Sequence, residues 1–163
     1  MPTRRRLLVA ALAAAPLLAS CGFALRKTPE FHFQTIALAM PSTALGQQLR
    51  RQLENAGSVR LSDKPAKAEI VFESAGERRI NEILSRNTDG EVRERLLGIV
   101  ITFRVRTGNG RELLPLTEIE RQIEQSYDES AADSKWEEAQ LLYSSMQSDI
   151  VQQIMRQLAN VRP

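Results

Sequence analysis

Leu97-Gly98-Ile99-Val100-Ile101-Thr102-Phe103-Arg104-Val105 decides the fold. Leu97, Ile99, Ile101, Phe103 and Val105 keep a period of two over five positions, so they line one face of an extended strand. Upstream, Asn87-Thr88-Asp89-Gly90 is a hairpin turn signal, and before it Ala68, Ile70 and Phe72 alternate with polar neighbours. That earlier strand is expected to run past Gly76 to Leu84, which makes the centre of the chain a long hairpin. Downstream, Gly108-Asn109-Gly110 turns the chain again. The stretch Glu118 to Gln125 is open to two readings. Ile119 and Ile123 lie one helical turn apart, but Ile119, Ile123 and Tyr127 also share a strand face. The Gly-rich turn before them favours a third antiparallel strand.

Helical periods flank this hairpin on both sides. Ile36, Leu38 and Met40 alternate as a strand that Pro41 stops, and Ser42 or Thr43 can cap the helix that follows. Its Leu45, Leu49 and Leu53 fall one turn apart, and Asn55-Ala56-Gly57 ends it. Val59 and Leu61 suggest a brief extended piece, and Asp63-Lys64-Pro65 a turn. At the other end, Ser134 and Glu137 have the spacing of a capping box. Trp136, Ala139, Tyr143, Met146, Ile150, Ile154 and Leu158 then form an apolar stripe expected to cover one face of the sheet. These elements fit one domain over residues 35–163.

Before the domain comes a leader. Arg4, Arg5 and Arg6 form a basic tip, Leu7 to Ala15 an apolar run too short to span a bilayer, and Leu18-Ala19-Ser20-Cys21 resembles the lipobox of bacterial lipoproteins. Residues 1–20 are therefore read as a signal peptide. Cys21 becomes the lipidated first residue of the mature chain, and 21–34, with Pro29 at its centre, a tether. The bland alternative for Cys21 is a small buried residue or a free thiol. Several acyl chains at about 0.8 kcal/mol per buried methylene would hold the protein on a membrane. Gly22, rather than Asp, resembles the sorting signal for the outer membrane. Thr3-Arg4-Arg5 faintly resembles a twin-arginine export signal.

The charge count excludes more than it suggests. Three of the 22 Lys+Arg are Arg4, Arg5 and Arg6, and residues 1–20 contain no acid, so the mature part has 19 bases against 20 acids. A nucleic-acid partner loses its support. Charge is nevertheless uneven. Residues 78–111 hold eight arginines (78, 79, 86, 93, 95, 104, 106, 111) against four acids, while residues 112–149 hold ten acids against two bases. The bland reading is solvated strand faces with cross-strand ion pairs; the sharper one is a hairpin that meets anionic phosphate.

Catalytic chemistry finds no residues to carry it. His32 is the only histidine and Cys21 the only cysteine, so neither a His relay nor a Cys/His zinc set is available. No phosphate-cradling Gly loop is present, and Glu118, Glu120 and Glu124 read as a solvated face. No catalytic residue, metal or cofactor is expected.

Two stretches together resemble the LptE family of lipopolysaccharide-assembly lipoproteins. Cys21-Gly22-Phe23-Ala24-Leu25-Arg26 is similar to that family's start. Leu142-Tyr143, Met146, Asp149, Gln153, Arg156 and Leu158 are similar to its last helix. The resemblance implies an α+β fold, a two-layer sandwich of two helices packed on a mostly antiparallel four-stranded sheet. It also implies a non-enzymatic lipoprotein on the periplasmic side of the outer membrane, plugging the lumen of an LptD-type β-barrel and helping to place lipopolysaccharide in the outer leaflet. The family's lipopolysaccharide-binding cations match Arg86, beside Asn87, and Lys135, beside Trp136. The rival readings are a lipoprotein binding module for another envelope partner and a lipoprotein that scaffolds peptidoglycan enzymes.

Overall fold

Alternation of apolar and polar side chains builds most of the sheet. In a computed structural model, which describes residues 30–163, the strands are β1 (Thr35–Ala39), β2 (Arg60–Leu61), β3 (Ile70–Arg86), β4 (Val92–Thr107) and β5 (Glu112–Ser126). The helices are α1 (Ala44–Ala56) and α2 (Ala132–Ala159), with short 3-10 turns at Pro65–Lys67 and Glu129–Ala131. The fold is α+β as expected, and the ambiguous stretch around Ile119 is strand. The sheet differs from expectation in number and direction: it has five strands in the order β2-β1-β3-β4-β5. β1 runs parallel to both β2 and β3, while β3, β4 and β5 form an antiparallel meander. The fifth strand is the brief extended piece after α1. Its two residues pair Thr35 with Arg60 and Ile36 with Leu61, the parallel pairing that a helical crossover from β1 produces.

Local chemistry sets the boundaries. Thr43 Oγ1 accepts a hydrogen bond from Gly46 N at 3.2 Å at the start of α1, and Gly57, at φ 69°, supplies the left-handed cap at its end. In the β3–β4 turn Asn87 Oδ1 accepts from the amides of Asp89 and Glu91, and Gly90 takes φ 87°. Pro115 and Leu116 lie where the β4–β5 register slips between Phe103–Thr117 and Val105–Leu114. A proline is tolerated there because an edge strand with a bulge asks no ladder hydrogen bond of it.

Two expectations for the last helix are corrected. The Ser134–Glu137 capping box does not form. Asp128 accepts from Ser130 N at 2.9 Å and opens the 3-10 turn that leads into α2, so Ser134 already lies within the helix and donates to Ala131 O. Trp136 is not core but 65% exposed, because most strand positions facing this end of α2 are polar: Arg79, Asn81, Arg95 and Gln125.

The core lies between the helices and one sheet face. Leu45, Leu49 and Leu53 of α1, with Met146, Ile150, Ile154 and Leu158 of α2, pack on Phe72, Leu97, Ile99, Ile101 and Phe103. Phe33, two residues before β1, is also buried in this cluster. Among the described residues no helix is long and apolar enough to cross a membrane.

The opposite face is mixed: Ala37, Ala68 and Val71 form a small buried cluster there beside charged residues. There Glu73 accepts from Arg106 Nε at 2.6 Å and from Arg104 Nε at 2.7 Å. The bond from Arg106 is the main cause that holds the Glu73 carboxyl below its ordinary 4.5; burial opposes it and Arg104 adds to it. A depressed folded value means that this clamp stabilises fully above the unfolded value and is lost as pH falls through the folded one. Arg104 is half exposed, which weakens the clamp by solvent screening. Glu73→Gln is therefore expected to cost about 1 kcal/mol at pH 7. The gap from wild type should shrink below pH 4.5 in urea unfolding; a gap that stayed constant with pH would contradict the clamp.

Candidate anion site

Beyond the apolar core the same sheet face turns polar. Arg95 follows Leu97 and Ile99 in the alternation of β4 and pairs with Ile83 of β3 and Gln125 of β5. Arg79 and Asn81 of β3 sit opposite Ile99 and Leu97 and face the same way. The first turns of α2 cross above them. Together they enclose a cavity of about 310 Å³, lined by Arg79, Asn81 and Arg95 below, by Gln125 and Tyr127 at the side, and by Lys135, Trp136 and Tyr143 above. Among the described residues no carboxylate lines it.

Its side chains are held in place. The Tyr143 hydroxyl donates to Ile80 O at 2.6 Å, and burial pushes it above its ordinary 10.0, with Arg79 opposing. The Arg79 guanidinium lies 4.7 Å from the centre of the Tyr143 ring, and that of Arg95 lies 3.9 Å from the Tyr127 ring. Stacking of this kind fixes the plane of a guanidinium while leaving its N–H groups to bond elsewhere. Arg95 Nε is buried and has no hydrogen-bond partner among the described residues. Gln125, buried at the side, donates to Lys135 O at 2.9 Å and ties the helix to β5. Lys135 Nζ reaches Glu138 Oε2 at 2.8 Å and Ser126 Oγ at 3.3 Å. That bond from Lys135 is the main cause that holds the Glu138 carboxyl below its ordinary 4.5.

The residues singled out from sequence are not brought to one place. Cys21 lies outside the described residues. Lys135 lines the cavity, and it is partly buried and paired with Glu138 rather than freely exposed. Arg86 is exposed at the β3–β4 turn, where its Nη1 donates to Gly90 O at 2.7 Å. It stands seven positions along β3 from Arg79, about 20 Å at the rise of a strand. Of the eight arginines in the basic stretch, Arg104 and Arg106 form cross-strand ion pairs with Glu73, as the bland reading expects, and Arg93 pairs with Glu91 two residues before it. Arg79 and Arg95 instead stack on tyrosines beside the cavity. Sequence reasoning counted both without placing them; the alternation running from Phe103 through Leu97 to Arg95 was the signal that could have found Arg95.

The comparisons with known proteins agree with this architecture. The profile of the family described as LptE, lipopolysaccharide-assembly, matches residues 33–158. The fold is similar to that of an uncharacterized lipoprotein B from Nitrosomonas europaea, at 29% identity and a TM-score of 0.73 over 85% of this chain and 90% of that one. It is also similar to rare lipoprotein B from Shewanella oneidensis, at 22% identity and a TM-score of 0.67 over 77% and 94% of the two chains. A minor lipoprotein from Acinetobacter baumannii matches at 20% identity and a TM-score of 0.65, over 82% and 97%. No curated protein matches the chain.

Proposed function

Since this chain belongs to the LptE family of lipopolysaccharide-assembly proteins, we propose that it works as a lipid-anchored plug and assembly partner of an LptD-type outer-membrane β-barrel. In this reading Cys21 carries the lipid, and the domain sits on the periplasmic side and inside the barrel lumen. It helps pass lipopolysaccharide to the outer leaflet without making or breaking a covalent bond. The single observation that carries the reading is a family match that spans nearly the whole described domain, from Phe33 to Leu158. Likeness in fold to three lipoproteins supports the anchor and says nothing of the barrel.

Arg86 and Lys135 are the proposed contacts for lipopolysaccharide phosphates. Arg86 supports this as an exposed cation at the tip of a 17-residue strand, within reach of a large amphiphile. A charge-assisted bond to phosphate contributes about 1.5–3 kcal/mol. The double change Arg86→Asp with Lys135→Asp is expected to weaken lipopolysaccharide binding at least tenfold. The ion pair it removes is partly exposed, so the fold should lose no more than about 1 kcal/mol. Binding of lipopolysaccharide by the purified variant, with circular dichroism as the folding control, is the test. Undiminished binding by a folded variant would return these two charges to the solvated surface.

A further inference from the structure

We infer that the cavity beneath Trp136 is a subsite for a sugar phosphate, with the phosphate held by Arg79, Arg95 and Lys135 and the sugar ring against Trp136. The inference rests on the lipopolysaccharide reading for the source of that group. It assigns the group to a place about 20 Å from Arg86, by the strand rise.

Three observations carry it. The first is the unpartnered Arg95 Nε, buried in a wall that already holds the guanidinium against Tyr127. A buried donor without an acceptor is costly, and the guanidinium that carries it borders the cavity. The second is charge. Arg79, Arg95 and Lys135 line the cavity, and among the described residues the only ion-pair partner of these three is Glu138, bound to Lys135. Two positive charges are left over, which suits a phosphate monoester at about −1.5 to −2 better than a carboxylate. The third is the rim. Trp136 is 65% exposed beside these cations, and its indole face offers negative π density to the C–H face of a sugar ring. The volume, about 310 Å³, is at the lower end of the range for small-molecule sites, room for one phosphorylated ring.

Trp136 is the only tryptophan in the chain, so its emission reports on the rim directly. Titration of the purified protein with glucose 1-phosphate should change that emission saturably, and glucose should not. Arg79→Gln and Arg95→Gln should each weaken the response about tenfold, while Arg60→Gln, exposed on the far edge strand β2, leaves it unchanged. Arg79 is exposed and its variant keeps the fold even if loss of the Arg95–Tyr127 stack does not. Inorganic phosphate should bind more weakly than the sugar phosphate; equal binding overturns the role of Trp136. No response to glucose 1-phosphate, or one that survives both substitutions, overturns the subsite. The source is read from lipopolysaccharide micelles. Weaker micelle binding by Arg79→Gln and Arg95→Gln places the glycolipid headgroup in the cavity. Undiminished micelle binding, with the glucose 1-phosphate response lost, keeps the cavity as a site for a free sugar phosphate and overturns only the headgroup source. A wild type that binds glucose 1-phosphate and no lipopolysaccharide sinks the functional reading and leaves the subsite standing.

Discussion

Phe103→Ala is expected to destabilise the domain by about 3–5 kcal/mol, enough to lower the melting temperature by roughly 10 °C or more. Phe103 is fully buried at the centre of β4, with its ring 4.8 Å from that of Phe72, stacked at an interplanar angle of 22°. Both rings belong to the cluster formed with α1 and α2. The surrounding strands are locked by their ladders and cannot collapse into the space, so the loss combines transfer free energy with a persisting cavity. Urea unfolding should show the change in midpoint with an unaltered slope. A loss under about 1 kcal/mol would mean that this aromatic pair is not the centre of the core.

Strands long enough to show a period were legible in the sequence, and elements defined by their partners were not. Leu97, Ile99, Ile101, Phe103 and Val105 keep a period of two because that face meets the helices, so that strand could be read from its alternation. Val59 and Leu61 suggested an extended piece, but two residues carry no period, and the ladder of Arg60 and Leu61 with Thr35 and Ile36 is what adds that piece to the sheet. The parallel direction of β1 likewise follows from the return path of the chain. Ser134 and Glu137 had the right spacing for a cap, but a turn opened by Asp128 set the helix start before them.

The candidate site shows the same division. Trp136 falls on the apolar period of α2, yet burial depends on what lies across from it, and Arg79, Asn81 and Gln125 offer it little to pack on. Arg79 and Arg95 were visible as part of a basic stretch. Their stacking on Tyr143 and Tyr127 joins residues far apart in the chain and has no local signature. Lys135 was legible by resemblance, but its pairing with Glu138 and its place above the cavity were not.

The other large effect expected is all-or-none. An exposed edge strand such as β5, with Leu116 62% exposed, and a hairpin that carries Ile83 and Leu84 at its tip 47% and 46% exposed, are surfaces that a partner would cover. A domain held inside a barrel would bury them against the barrel wall, and the lipid at Cys21 would keep it at the membrane while the complex forms. The most direct measurement is affinity purification of the tagged protein from detergent-solubilised envelopes, followed by identification of what accompanies it. The proposed function predicts a one-to-one complex with a large outer-membrane β-barrel that persists in mild detergent. A protein that purifies repeatedly as a monomer, with no barrel beside it, would contradict the proposal.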